Sequence, residues 1–295
     1  EEVIVAKTDF AWFLYSCGYL AVALIFLLIA KVLYNLLTPF CVNEQLTEKD
    51  NPALGIHFTG YLLGILAIIC SVFYGETESP SLSVFLDEIF EVALYGGIGI
   101  VLLLVAGFIN DKVFLNKFCN RSEIIDKQNK AIALITASTY LSSGVIIAAA
   151  IYASVDLLSI FIFYAAGQLL LIIFMSIVKG LTKYDDQKEL GEQKNFAVAL
   201  ALAANMIAYA FILMKGIAVN PEIAQDWTLN DRLIHLGYYA IGGFVLLFIV
   251  RLIADFIFMP QAKMNKELVE DQNINAGLLE GTLVLSMGII LSLCL

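Results

Sequence analysis

Charged residues are scarce in this sequence. Asp, Glu, Lys and Arg make up 15% of its 295 residues, whereas a soluble globular domain carries about 25%. Hydrophobic residues reach 60%, and the mean hydropathy is +0.86. One water-soluble core cannot bury so much apolar surface. A soluble domain is therefore excluded, and the lipid bilayer is the expected solvent and first partner.

Residues typical of catalytic and metal sites are equally scarce. There are two histidines, and five cysteines without C-x-x-C or Cys/His spacing. No H-E-x-x-H, P-loop or Ser/His/Asp set occurs, and the absence of a basic aromatic patch argues against nucleic acid. We therefore expect no enzyme activity, no metal and no cofactor. Cys17 and Cys294, near one membrane side, either form a disulfide or stay unpaired.

Long apolar runs, by contrast, are abundant. About 20 apolar residues in a helix cross a hydrocarbon core about 30 Å thick. Eight segments reach this length, and the polar connections between them are too short for a soluble domain. They predict an all-α polytopic membrane protein. The segments span residues 10–38, 52–73, 83–110, 129–152, 155–180, 194–217, 232–258 and 273–294.

A short polar motif recurs four times, each time at the start of an apolar segment. It reads acid-x-x-Asn-x-(Ala/Asn)-x-(Gly/Ala). Its acids are Glu48, Asp126, Glu192 and Glu270, and its asparagines are Asn51, Asn129, Asn195 and Asn273. The third Asn follows the first by 144 residues, and the fourth follows the second by the same number. Repetition of this kind predicts a duplicated architecture.

The duplication divides the chain into two tandem halves, residues 1–151 and 152–295. Each half contains two related helical hairpins, at 10–73 and 83–151 and then at 155–217 and 232–295. Because every hairpin has two spans, all four enter the membrane in the same direction. These are parallel repeats, unlike the inverted repeats of many secondary transporters.

The basic residues predict the orientation in the membrane. Twelve of the 17 Lys and Arg residues lie on the side that bears the Asn motif. The loop 74–91 on the other side holds five acids and no base. Since basic loops stay in the cytoplasm, the motif side is expected inside and both termini outside.

The recurring motif on a two-helix unit resembles the DUF350 family, also called UPF0719, of YjfL-like bacterial inner-membrane proteins. The resemblance covers nearly the whole chain as four two-helix units. Asn275, in place of a small residue in the fourth unit, and Pro52, after the first Asn, depart from the pattern. The resemblance implies an inner-membrane protein associated with the envelope or with stress, and it brings no catalytic residue.

The four motif asparagines have two interpretations. Asn side chains accept hydrogen bonds from the free N–H groups of a first helical turn, and lipid offers those groups no alternative. The asparagines would then cap helices or bond neighbouring ones. Alternatively, four Asn side chains ring the cytoplasmic mouth of a pathway.

Charges inside the spans are the next candidates. Glu280 lies about 10 Å into the membrane, at 1.5 Å per residue from its motif Asn, and Arg251 lies at a similar depth on the preceding span. We predict that they pair, with Lys31 and His57 as a weaker analogue in the first unit. An intramembrane charge costs about 2.5–3.5 kcal/mol. Such residues either fix helix packing or form a titratable gate or ion site.

Two further acids, Asp111 and Asp255, correspond across the halves and lie near the motif-side ends of their spans. They would bond neighbouring helix starts or bind cations. At the position of Glu280, units two and three have Thr136 and Leu202, which argues against a simple fourfold pore.

Two functional hypotheses remain open. The first is a membrane scaffold or accessory subunit of an envelope- or stress-related assembly, with a cytoplasmic or membrane protein, or a second copy, as partner. The alternative is a channel or transporter for ions or small solutes, with a polar site around Glu280 and Arg251. No selectivity-filter sequence supports the alternative.

Overall fold

A computed structural model describes residues 2–74, 81–113, 115, 119–153, 156–182, 184–220, 223–258 and 264–294. Side chains are described from residue 10 onward, except those of residues 110 and 254–258. Asp255 therefore lies outside the described side chains.

Helices account for nearly all of the described chain. They are α1 (Glu2–Leu37), α2 (Pro52–Phe73), α3 (Leu82–Glu91), α4 (Gly97–Val113), α5 (Asn120–Ile125), α6 (Lys130–Ala153), α7 (Leu157–Leu181), α8 (Phe196–Ile217), α9 (Leu229–Phe258), α10 (Met264–Val269) and α11 (Ile274–Cys294). Short π-helical turns occur at Glu44–Glu48, Val92–Gly96 and Lys188–Glu192. The second of these turns joins α3 and α4 into one continuous rod.

Eight rods among the described residues are long and apolar enough to cross a membrane. They are Phe10–Leu37, Pro52–Phe73, Leu82–Val113, Lys130–Ala153, Leu157–Leu181, Phe196–Ile217, Leu229–Ile253 and Ile274–Cys294. The predicted all-α polytopic class is confirmed, and each predicted segment coincides with one rod to within a few residues.

The helices that follow the Asn motif, α2, α6, α8 and α11, form one row, and we call them the motif helices. Each packs mainly against its neighbour in chain order, α2 on α6, α6 on α8 and α8 on α11. Within the most apolar stretch of each helix, 83% of residues are buried in α6 and 78% in α8, against 44% in α2 and 33% in α11. The row therefore has two open ends. The remaining spans pack around it, α1 on α2, α4 and α7 on α6, and α9 on α8 and α11.

Small residues let the motif helices approach closely. A Cβ atom added to Gly60 would lie 2.3 Å from the Cα of Ala137, and one added to Gly144 would lie 2.4 Å from the Cα of Gly64. On α11, a Cβ added to Gly277 would lie 2.6 Å from the carbonyl oxygen of Ala197. In lipid, helix association depends on this close van der Waals packing, since lipid tails are as apolar as the helices.

Candidate functional site

The motif asparagines cap the motif helices. In the first three units their side-chain Oδ1 atoms accept from backbone N–H groups of the following first turn. Asn51 accepts from Ala53 at 3.0 Å and from Leu54 at 3.1 Å, and Asn195 accepts from Val198 at 3.1 Å. Asn129 and Asn273 make the equivalent bonds. The predicted capping is thus present in all four units.

A left-handed residue precedes each cap. The residues with positive φ are Asp50 (46°), Gln128 (46°), Lys194 (51°) and Gln272 (46°). This conformation turns the chain so that the N–H of each motif Asn reaches the carbonyl six residues earlier, for example from Asn129 to Glu123 at 2.8 Å. Side-chain branching disfavours this conformation, and none of the four residues is β-branched.

Each Asn amide also bonds the side chain six residues before it. Asn129 donates to Glu123 at 3.2 Å, and Asn195 donates to Glu189 at 2.8 Å. Asn51 and Asn273 donate equivalently to Gln45 and Glu267. The acids three residues before each Asn, which the motif had singled out, are all exposed. The sequence motif therefore indicated the wrong acceptor, because the side chain that bonds the amide lies six residues before the Asn and not three. Its signal was the recurrence of Gln or Glu six residues before each Asn.

The asparagines link one unit to the next. The Asn51 amide donates to the Ile124 carbonyl at 3.0 Å, that of Asn129 to Leu190 at 2.9 Å, and that of Asn195 to Leu268 at 2.8 Å. Each acceptor lies five residues before the motif Asn of the following unit. We call this series of contacts the inter-unit relay. Since the first three asparagines are at most 1% exposed, the relay is shielded from water.

The relay stops at the fourth unit. The Asn273 amide donates to Glu267 at 2.8 Å, and the described residues supply no inter-unit carbonyl for it. Asn273 is only partly buried. The row of motif helices therefore ends at α11, where the Asn273 amide makes no bond to another unit within the described residues.

The predicted ion pair of the second half is present. Arg251 Nη2 lies 2.8 Å from Glu280 Oε1, and the Glu280 side chain is 2% exposed. Asn205, which donates to the Ala201 carbonyl at 2.8 Å, shares a cavity of about 180 Å³ with Arg251. The pair joins α9 to α11 beside this cavity.

A loop carboxylate extends this polar group. Asp186 is 5% exposed, and burial raises its pKa from the ordinary 3.8 to about 6, against the opposing charges of Lys179 and Arg251. Burial likewise raises the pKa of Tyr184, and the carboxylates of Asp186 and Glu280 add to that shift. The second half thus gathers acids and bases in one place on its motif side.

His57 of the first half makes different contacts from those predicted. Its Nδ1 lies 2.7 Å from Thr136 Oγ1 and its Nε2 lies 2.8 Å from the Tyr34 hydroxyl. Because the Thr136 hydroxyl already donates to Ala133 at 2.9 Å, Nδ1 is the donor and Nε2 accepts from Tyr34. The predicted Lys31–His57 pair is wrong. The hydroxyl of Tyr34, one turn beyond Lys31, bonds the Nε2 atom of His57 instead. Lys31 is partly exposed.

His57 opens on a second cavity of about 450 Å³. Asp111 and Arg121 also line this cavity, as do Tyr34 and Tyr140. Asp111 interacts with the side chain of Asn120, the first residue of α5. This contact fits the predicted bond from an acid to a neighbouring helix start.

The two cavities occupy equivalent places in the two halves. Seven lining positions coincide at the 144-residue offset, with the following pairs: Tyr34/Val178, Leu37/Leu181, Thr38/Thr182, Leu104/Phe248, Gly107/Arg251, Phe108/Leu252 and Arg121/Asn265. The chemistry differs nevertheless. Arg251 stands where the first half has Gly107, and Glu280 stands where it has Thr136. The duplicated framework thus carries a neutral histidine network in one half and an ion pair in the other.

Sequence reasoning overlooked a second pair of equivalent sites at the opposite membrane side. Glu88 accepts from the hydroxyls of Tyr15 and Tyr19. Arg232, 144 residues later, donates to the Ala153 carbonyl at the end of α6 and lies 4.8 Å from the Phe163 ring centroid. Glu88 and Arg232 carry opposite charges, so a comparison of residue types between the two halves does not reveal that their positions are equivalent.

The structure also places the cysteines and two equivalent glycines of the spans. The five cysteines are unpaired and exposed, so the Cys17–Cys294 disulfide is absent. Gly99 and Gly243, at equivalent positions, face Ile68 and Ile212, with an added Cβ at 2.5 Å and 2.4 Å. Their role is helix packing. No group of three metal-binding side chains occurs within the described residues.

Comparison with known proteins gives one family. The model of the "Domain of Unknown Function (DUF350)" matches twice in tandem, at residues 9–151 and 152–295. A UPF0719 transmembrane protein of Aquifex aeolicus is 23% identical over 89% of this chain and 93% of its own length. The UPF0719 transmembrane protein YshE of Bacillus subtilis is 27% identical over 45% of this chain and 89% of its own length. No solved structure matches.

Proposed function

The chain belongs to the DUF350 family of membrane proteins along both halves, and from that premise we propose that it is a membrane scaffold or accessory subunit of an envelope- or stress-related assembly. The supporting observation is the inter-unit relay. All four motif asparagines are engaged as caps, and three also bond the next unit. They are therefore not available to ring a pathway, and their shared role is to hold units in register. On this proposal the chain is not an enzyme.

The proposal places the chain in a bacterial inner membrane, with the motif side in the cytoplasm and both termini outside. The excess of Lys and Arg on the motif side supports this orientation. Exposed bases there, such as Arg121, Lys130 and Lys188, offer a cationic surface to an acidic partner. The partner would be a cytoplasmic or membrane protein.

Purification after cross-linking in the membrane tests the scaffold role. The full chain is extracted in a gentle detergent, and we expect the same partner in each preparation at a fixed ratio. Lys188→Glu should reduce its recovery, whereas the same charge reversal on the other membrane side, Lys215→Glu, should not. Recovery of the chain alone as a monomer in every preparation would contradict the proposal.

One observation favours a second candidate, a channel or transporter for ions or small solutes. The Arg251–Glu280 pair borders a polar cavity, and buried charges often mark ion pathways. Flux into proteoliposomes tests it, with Glu280→Gln and Arg251→Leu beside the lipid-facing control Ile241→Ala. Flux that changes in the two charge variants and not in the control supports conduction. Absence of flux across several ions and pH values rejects it.

A further inference from the structure

The two ends of the row of motif helices are complementary. At one end, Asn273 has no inter-unit acceptor among the described residues. At the other end, the carbonyl of Leu46 holds the position that Ile124, Leu190 and Leu268 hold in the later units, five residues before its motif Asn. Within the described residues, no Asn amide of another unit reaches it. We propose that a second copy of this chain docks head to tail, with α11 of one copy against α2 of the next.

The outer face of α11 reproduces the face that the other motif helices use toward their successor. In the first three units, the residue nine positions after the motif Asn faces the next motif helix. Gly60 faces α6 and Ala204 faces α11, while Ser138 lies 3.6 Å from the Sδ atom of Met206 on α8. Thirteen residues after it stand Gly64, Ser142 and Ala208, all small and buried against a neighbour. The α11 equivalents are Thr282 and Ser286. Both are exposed, so α11 presents a finished interface without its neighbour.

The outer face of α2 corresponds in register to the opposite, receiving face of the later motif helices. Eight residues after the motif Asn, Ala137 and Gly281 contact the preceding helix. The α2 equivalent, Thr59, is exposed, as is Leu66, which stands at the register position of the contact residues Gly144 and Gly288. Because leucine is larger than glycine, the docked helix would lie farther from α2 there than the internal motif helices lie from one another. Continuing the internal interface therefore places Thr282 of one copy beside Thr59 of another, and Asn273 beside the Leu46 carbonyl.

The positions of the contact residues around each motif helix imply a curved row, and the curvature predicts how many copies close it. At 3.6 residues per turn, the two faces of a motif helix lie about 135° apart around its axis, the interior angle of a ring of about eight helices. A groove of about 520 Å³ on the concave side agrees, since it is lined by α2, α6 and Ile207 of α8. Two copies of four units supply eight motif helices. Identical head-to-tail contacts that close in this way form a symmetric ring.

The concave side is apolar, with Ile56, Leu63, Leu134, Leu141 and Ile207 among its residues. A closed ring would therefore enclose hydrocarbon rather than water. The inference deepens the proposed scaffold role and rests on it, because a ring of packed units is a platform rather than a pore.

Cysteine cross-linking tests the interface in the full-length protein. The five exposed native cysteines are replaced by serine, and Thr59→Cys and Thr282→Cys are combined. Copper–phenanthroline oxidation in native membranes should give a covalent species of two copies, twice 32.4 kDa. Thr59→Cys with Ile241→Cys, exposed on α9, should give none. Cross-linking by Thr282→Cys alone would mean that two α11 helices pair and would overturn the head-to-tail arrangement.

A blocking variant tests the same contact without disulfides. Ser286→Trp puts a large side chain where every internal interface has a small one, and Met287→Trp is the neighbouring exposed control. Because both positions are exposed in the single chain, neither change should alter the melting temperature in a detergent in which the chain is monomeric. Native mass spectrometry should find two copies for the wild type and Met287→Trp, and one for Ser286→Trp.

A monomeric wild type, or a Ser286→Trp variant that still dimerises, would reject the docking. Species of three or more copies would reject closure by two. Failure here is separable from failure of the scaffold role, which depends on recovery of a different protein at a fixed ratio.

Discussion

Replacing Asn129 with alanine tests whether the inter-unit relay stabilises the row. Asn129 is fully buried and makes four hydrogen bonds, to Ala131 N at 3.0 Å, Ile132 N at 3.3 Å, Glu123 Oε2 at 3.2 Å and Leu190 O at 2.9 Å. Loss of a cap costs about 1 kcal/mol. Leaving buried acceptors without a donor adds about 1–3 kcal/mol. We expect a total loss of about 3 kcal/mol in the free energy of unfolding.

Asn273→Ala is the matched control, because Asn273 is the equivalent residue 144 positions later. It caps α11 through Asn275 and Ala276 and bonds Glu267, but it is partly exposed and bonds no other unit within the described residues. Water can replace part of what is lost. We expect a cost of about 1 kcal/mol, so the two variants should differ by about 2 kcal/mol.

The comparison requires unfolding in a detergent in which the chain is monomeric. Titration with SDS in mixed micelles, followed by circular dichroism, gives both free energies on one scale. A second measurement of Asn195→Ala, which also loses an inter-unit bond to Leu268, should resemble Asn129→Ala. Equal losses at Asn129 and Asn273 would refute the reasoning, because the bond across units would then contribute nothing.

Three further changes have definite expectations. Arg251→Leu should lower the free energy of unfolding by about 3–5 kcal/mol because it leaves the buried Glu280 carboxylate uncompensated. The double variant Arg251→Leu with Glu280→Leu should recover most of that loss. Thermal unfolding of both variants checks this. Asp186→Asn should raise stability by up to about 3 kcal/mol at pH 7.5 and by much less at pH 4. Because burial raises the pKa of Asp186, the native state loses stability as the pH rises from 3.8 to about 6. An equal stabilisation by Asp186→Asn at both pH values would contradict the raised pKa. Gly144→Ala should lower the melting temperature, since its Cβ would lie 2.4 Å from backbone, while Gly97→Ala, with no atom within 4 Å, should not.

The spans and the duplication were predictable because they depend on composition and periodicity. Only helices and closed barrels satisfy the backbone in lipid, and unbroken apolar segments of about 20 residues have the length of spanning helices rather than of spanning strands. The Arg251–Glu280 pair was also predictable, since two opposite charges at one depth in lipid attract each other strongly. In each case the physical constraint can be read from a single segment or from one pair of opposite charges.

What failed depended on local backbone geometry. The left-handed residue before each Asn brings the side chain at the sixth preceding position, such as Glu123, against the amide and leaves the acid at the third, such as Asp126, in solvent. No periodicity reports such a turn. Likewise, the Lys31–His57 pair was predicted from depth alone, whereas the direction of the Tyr34 side chain decides which residue reaches the imidazole.

The two halves separate what the family shares from what each half has acquired. Both match the DUF350 model, and both have the same caps, the same left-handed turns and a Gln or Glu acceptor six residues earlier. In and beside the equivalent cavities, however, His57 and Thr136 of the first half correspond to Ala201 and Glu280 of the second, and Gly107 corresponds to Arg251. A chemistry common to the family would have to survive in both halves, and this polar chemistry does not. The feature that does survive is the one that joins units side by side. We therefore propose assembly as the shared role and the polar cavities as specialisations of each half.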